Sequence, residues 1–158
     1  SAFEIIEDSS QINSLYFIGD GPEKSKFQYQ AKKIDNIKIT FFGSISRKDL
    51  DEIYAKCHII LLPSSASEGF PKVIAEAMAF GCIPIVSDVG SIPQYICKEN
   101  GVILKNVSPK NIMESIKKVL FYQKFLKKMA KRGSSKVKLF SYEIYNDRIA
   151  KMLKQNDK

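Results

Sequence analysis

"SEGFPKVIAEAMAFGCIPIVSD", Ser67 to Asp88, joins a loop, an alanine-rich helix and a β-branched run. Pro71 suits the first turn of a helix, where its missing N–H is not needed, and Gly81 follows the alanines as a left-handed C-cap would. The spacing predicts a helix over about 70–80, with the small Ala75, Ala77 and Ala79 letting it lie close to a sheet. "IPIVSD" (83–88) then reads as a strand buried on both faces. Two glutamates, Glu68 and Glu76, stand eight positions apart across the helix start.

Outward from this stretch the same alternation continues. "SLYFIG" (14–19), "IKITFFG" (37–43), "HIILLP" (58–63) and "GVIL" (101–104) are further short apolar runs, each expected as a doubly buried strand. Helical stretches are expected at about 22–33, 47–57 and 92–97. Ser46 is an N-cap candidate, with Asp49 three residues on partly imitating a capping box. Ser108 and Pro109 open a helix expected to reach about 131, and a last helix begins at Ser141. Strand–helix alternation of this kind implies βαβ units, a Rossmann-like α/β fold with a parallel sheet and helices on both faces. A doubly wound sheet grows from a central first strand. Residues 2–12 read instead as a helix ahead of the first strand, so the chain is expected to start inside a βα unit and to lack that central strand.

At 158 residues, with 44% hydrophobic and 27% charged residues, the chain is long enough for one globular domain with a single core. No apolar run reaches the eighteen or so residues of a membrane span, and no secretory signal opens the chain, which fits a cytoplasmic protein. Cys57, Cys82 and Cys97 are odd in number and are expected to be buried, reduced thiols. The net charge of +8 is unevenly spread. Residues 1–104 hold 10 Lys/Arg against 13 Asp/Glu, and residues 105–158 hold 15 against 4.

Three chemistries are disfavoured. Were residues 68–76 all helical, a rise of ~1.5 Å per residue would set the two backbones ~12 Å apart with an offset of about 80°. Glycosidase carboxyl pairs lie about 5–9.5 Å apart. A metal site lacks ligands, since the single histidine, His58, starts a strand without spaced partners. For the same reason no Ser-His-Asp arrangement is evident. Glu68 falls instead in the loop after a parallel strand, at the carboxyl edge where open α/β sheets bind ligands. The helix N-terminus beside it offers free N–H groups and a positive dipole end for phosphate. Carboxylates on either side of a phosphate suit a molecule with hydroxyls at both ends, a nucleotide sugar.

The stretch from Ser67 to Ile96 resembles the Glu-x7-Glu signature of retaining glycosyltransferases of family 4, in the C-terminal, donor-binding domain of the GT-B fold. "LYFIGDGPEK" (15–24), "ITFFGSISRKDLDEIYAKCHIILLPS" (39–64) and "NGVIL" (100–104) extend the resemblance over nearly the whole chain. It implies that residues 1–158 form one domain, half of a GT-B fold, and that the whole protein is a hexosyltransferase of polysaccharide biosynthesis. The resemblance gives Glu68 the hydroxyls of the donor sugar and a part in the chemistry, and Glu76 the ribose diol. Backbone contacts to sugar and diphosphate fall on Gly69, Phe70, Lys72 and Val73, and base contacts on Gly43, Ser44 and Ile45. The donor is a nucleoside-diphosphate sugar, with no cofactor and no obligatory metal.

Three departures from the family pattern stand out. The Arg and Lys that neutralise the diphosphate come from the first strand and its loop, which this chain lacks. Gln94 replaces a usual Glu. The N-terminal acceptor domain, the expected partner, is absent from this chain, so turnover from this fragment alone is not expected. A non-catalytic module that senses nucleotide sugars or scaffolds a partner is the alternative. An oxidoreductase is disfavoured because no GxGxxG follows a strand.

The basic half reads separately. From Ser115 to Phe140 there are nine Lys/Arg and no acid. Ile116, Val119, Leu120, Phe121, Phe125 and Leu126 form an apolar stripe, with Lys117, Lys118, Lys124, Lys127 and Lys128 around it. A helix packed on the sheet with a solvated basic face accounts for this. Docking on the anionic inner face of a membrane, as enzymes with lipid-linked acceptors require, is the second reading. Nucleic acid is not expected, because no recognition motif accompanies the charge.

Overall fold

The computed structural model describes residues 12–66 and 69–156. Its strands are β1 (Ser14–Ile18), β2 (Lys38–Gly43), β3 (Ile59–Leu62), β4 (Ile83–Ser87) and β5 (Val102–Leu104). They alternate with helices α1 (Lys24–Ala31), α2 (Arg47–Tyr54), α3 (Lys72–Ala79) and α4 (Ile92–Tyr95). After β5 come α5 (Pro109–Phe121), α6 (Gln123–Lys136), a 3-10 turn (Val137–Phe140) and α7 (Tyr142–Asn156). All strand pairs are parallel, as βαβ units demand. The helix expected over 2–12 falls almost wholly outside the described residues.

The ladder forms two pieces, β1-β2 and β3-β4-β5. This qualifies the expectation of strands buried on both faces. Only β4 is buried throughout; β3 is half-buried along its length, and β1 is exposed at both ends. The two pieces share a cover. Met113 and Ile116 of α5 pack on Leu15, Phe17 and Ile39, while Ile116 also reaches the cluster of Ile83, Ile85, Leu104 and Val119.

Helix α3 buries Ile74, Ala77 and Met78, the spacing of one helical face. Ile74 and Met78 meet Val86, Ile92 and Ile96, Ala77 packs with Tyr54 and Cys82, and Gly133 of α6 lies against Met78. The expected alanine stripe reduces to Ala77, because Ala75 is half-buried and Ala79 exposed. Positions two apart alternate between faces of a strand, but they do not share a helix face.

Local signals were read correctly at several ends. Ser46 and Ser108 cap α2 and α5, accepting bonds from the N–H groups of Asp49 and Asn111 at 3.2 Å. Gly81 has φ +88° and closes α3 through Gly81 N–H to Met78 C=O, 3.0 Å.

The helix expected from 108 to 131 is broken. Tyr122 takes φ −90°, ψ 47°, and the chain restarts as α6. The break divides the expected stripe. Val119 is buried and Leu126 packs on the same cluster, whereas Phe121 and Phe125 are 78% and 57% exposed. Of the cysteines, Cys82 is buried, Cys57 half-buried and Cys97 exposed, so burial of all three is not observed.

Gly81→Ala tests the C-cap without steric complication, since a Cβ there would meet only Ala130, 4.0 Å away. The positive φ alone should cost about 1–2 kcal/mol in urea unfolding.

Candidate functional site

A cleft of about 270 Å³ opens where β3 ends and α3 begins. Leu62 and Ser64 line it from the strand side, Gly69, Lys72 and Val73 from the turn into the helix, and Val89 from beyond β4. This is the carboxyl edge of a parallel sheet, where backbone amides and helix ends converge. Pro71 occupies the cap position of α3 in an extended conformation, and no side chain caps the helix. No acidic residue lies in its first turn either. Among the described residues nothing caps or neutralises the positive end of α3 where it meets the cleft, whereas α2 and α5 are closed by serines.

Three of the four residues expected to contact sugar and diphosphate, Gly69, Lys72 and Val73, line this cleft. The fourth, Phe70, has its ring elsewhere. It stacks on Phe140 at 4.7 Å and meets Tyr95 edge-on at 5.0 Å, which ties the loop to α4 and to the 3-10 turn. Glu68 lies outside the described residues.

Glu76 stands in the second turn of α3, where its carboxylate pairs with Arg47 Nη1. The same guanidinium donates from Nε to Asp51 Oδ1 at 3.0 Å. Hydrogen bonding to Glu76, more than any other cause, pushes the Arg47 pKa up. Below them Tyr54 is buried, and this desolvation, reinforced by the Glu76 charge, pushes its hydroxyl up to about 12. Tyr54 therefore stays a protonated phenol at neutral pH.

The loop Gly43–Ser44–Ile45 leads directly into α2 and so to Arg47. Gly43 has φ +69°, and a Cβ on it would come 2.9 Å from Asp20 Oδ2. Glycine is required on both counts. Asp20 accepts the Ser44 N–H at 2.7 Å and the Lys24 ammonium at 2.5 Å, and Gly19 N–H donates to Gly43 C=O at 2.9 Å. The "GDGPEK" turn is thus a tether for the 43–45 loop. Asp20, Arg47 and the Phe70 cluster were all missed in the sequence reading. The i,i+4 spacing of Asp20 with Lys24, and of Arg47 with Asp51, was the available signal for the first two.

The model of the family described as glycosyl transferases group 1 matches residues 1–136, and the chain belongs to that family. It is 27% identical over 113 residues to a putative teichuronic acid biosynthesis glycosyltransferase of Bacillus subtilis, covering 72% of this chain and 27% of that protein. It is 31% identical over 116 residues to an uncharacterized glycosyltransferase of Methanocaldococcus jannaschii, covering 72% and 28%. The chain thus spans about a quarter of the length of these curated relatives. Sucrose-phosphate synthase of Thermosynechococcus elongatus superimposes with a TM-score of 0.76 at 23% identity, over 98% of this chain and 41% of that one. Anabaena HepE, solved with UDP and glucose, gives 0.77 at 18% identity over 98% and 44%. These likenesses establish the fold, half of a GT-B architecture.

The Asp20 tether has a pH signature. Its carboxyl is held below the ordinary value of 3.8, first by Lys24 and then by the Ser44 N–H. The tether is therefore intact above 3.8 and is lost as pH falls through the lowered value. In an acid titration followed by NMR, the Ser44 amide should move together with the Asp20 carboxyl. Asp20→Asn should abolish that movement.

Proposed function

We propose that this domain is the donor half of a retaining hexosyltransferase of the family 4 type. The whole protein would move a sugar from a nucleoside-diphosphate sugar to a saccharide or lipid-linked acceptor, in cytoplasmic polysaccharide biosynthesis. One observation carries the reading: the uncapped N-terminus of α3 opens into the cleft at the end of β3, with Glu76 behind it on the same helix. The diphosphate takes the N–H groups of Gly69, Phe70, Lys72 and Val73, Pro71 between them having none to give, as anions do at helix N-termini. The ribose diol takes Glu76, the base lies against Gly43, Ser44 and Ile45, and Glu68 holds the donor sugar. Departure of the nucleoside diphosphate leaves an oxocarbenium-like centre, attacked by the acceptor on the same face. The helix terminus stabilises the leaving charge where it develops. No metal or cofactor has a role in this reading.

The acceptor domain and the diphosphate-neutralising Arg and Lys belong to other parts of the protein, so this domain alone does not turn over. Among the described residues β1 pairs only with β2, and β3 only with β4. Glu76→Ala should cost on the order of 1–3 kcal/mol of nucleoside-diphosphate affinity by calorimetry, as for a hydrogen bond to a charged group. Glu68→Gln in the full-length protein should lower transfer more than about tenfold, ~1.4 kcal/mol, with free nucleotide affinity unchanged. Donor binding with no transfer in the full-length wild type would identify the non-catalytic sensing or scaffolding module instead.

Features of the basic half support extending this reading to a membrane surface. No helix among the described residues is long and apolar enough to cross a bilayer. The break at Tyr122 nevertheless projects Phe121, Tyr122 and Phe125 outward in mutual ring contact. Beside them runs a groove of about 620 Å³ whose walls include Lys98, Lys118, Lys128 and Arg132. Aromatic tips among cations suit an anionic lipid surface, with about 1 kcal/mol from each basic residue near it. The full-length protein should co-sediment with anionic vesicles and not with neutral ones, and salt should release it. Phe121→Ser with Phe125→Ser should weaken this binding.

A further inference from the structure

Arg47 has a geometry that neither stability nor solubility accounts for. Its side chain is 57% exposed, and an exposed ion pair adds little to folding. Yet the guanidinium is held at two points: Asp51 takes Nε, and Glu76 takes Nη1. A guanidinium is a rigid planar fork, so fixing Nε on Asp51 sets the direction in which Nη1 points. The arm starts two residues after the 43–45 loop, which Asp20 anchors, and ends on α3 at a carboxylate only 23% exposed. It is the contact that joins the loop to Glu76.

We infer that Arg47 is a positioning residue for the nucleoside, fixing the Glu76 carboxylate in the orientation that receives the ribose diol. This rests on the donor-site reading above. An ionised carboxylate offers about four acceptor positions, and Arg47 uses one, on Oε1. Among the described residues no other hydrogen bond or ion pair occupies this carboxylate, which leaves the second lone pair of Oε1 and both of Oε2 for two hydroxyls. Ordering the acceptor in advance removes a cost that binding would otherwise meet.

An arginine that blocked Glu76, rather than aiming it, would behave in the opposite way. Its removal would tighten nucleotide binding. The two roles are therefore separable by one set of variants.

The test uses the full-length protein and whichever of UDP, GDP or ADP the wild type binds most tightly, together with the 2',3'-dideoxy form of that nucleotide. Calorimetry should show Arg47→Ala weakening the ribonucleotide about tenfold, about 1.4 kcal/mol. Arg47→Lys should restore part of the loss. The penalty should vanish with the dideoxy nucleotide, and Arg47→Ala should add nothing to Glu76→Ala, since coupled residues are non-additive. In transfer assays KM for the donor should rise while kcat holds. If Arg47→Ala is silent or tightens binding while Glu76→Ala weakens it, the inference about Arg47 fails and the donor-site reading stands. Equal losses with both nucleotides would make Arg47 a direct ligand of base or phosphate and would also overturn it. A silent Glu76→Ala would remove the ribose reading, and the inference with it.

Discussion

The structure depends on β4, the one strand whose five residues are all buried. Its alternation feeds two cores at once. Ile83 and Ile85 join Leu104 and Val119 under α5 and α6, while Val86 joins Ile74, Met78, Ile92 and Ile96 under α3 and α4. A strand covered on both faces is expected to be apolar throughout, and Ile83 to Val86 are, with Ser87 the one buried polar residue at its end. Each fully buried Ile, Val or Met there contributes about 1.5–3 kcal/mol relative to exposure. That burial holds α3 over the sheet and sets its N-terminus at the carboxyl edge of β3.

The candidate site follows from this placement and from what is withheld at the helix start. Pro71 supplies an extended entry to α3 without a capping side chain, so the helix dipole acts on whatever occupies the cleft. Polar links then arrange the surroundings. Asp20 holds Ser44, and Arg47 joins the segment after Ser44 to Glu76. Phe70, packed on Tyr95 and Phe140, anchors by its ring the loop whose Gly69 and Pro71 line the cleft. The C-terminal 3-10 turn thereby becomes part of the scaffold of a site formed by residues far earlier in the chain.

Charge and packing divide the basic half in a way composition could not indicate. One side of α5 and α6 is ordinary core, with Met113, Val119, Leu126 and Met129 against the sheet. The helix break at Tyr122 turns the adjacent aromatic residues outward among lysines. The segment thus divides into a packed helix along the inner face and an exposed aromatic and cationic corner at the junction.

What the sequence by itself determined lies within a few residues of each position. The strands and most helix ends were legible because β-branched runs, Ser46 and Ser108 caps, and the left-handed Gly81 act through contacts no farther than one helical turn. The parallel α/β class followed from their alternation, and the Glu-x7-Glu spacing drew attention to the α3 start. Only the tertiary structure decided which residues meet there. Arg47 reaches Glu76, and Phe70 reaches Phe140, because β4 brings α2, α3 and the C-terminal turn onto one frame, and no periodicity marks such pairs in advance. The same holds for the division of β1-β2 from β3-β4-β5 and for the exposure of Phe121 and Phe125. Those depend on where neighbouring elements end, and a linear pattern specifies which face of a strand or helix is apolar, not what covers it.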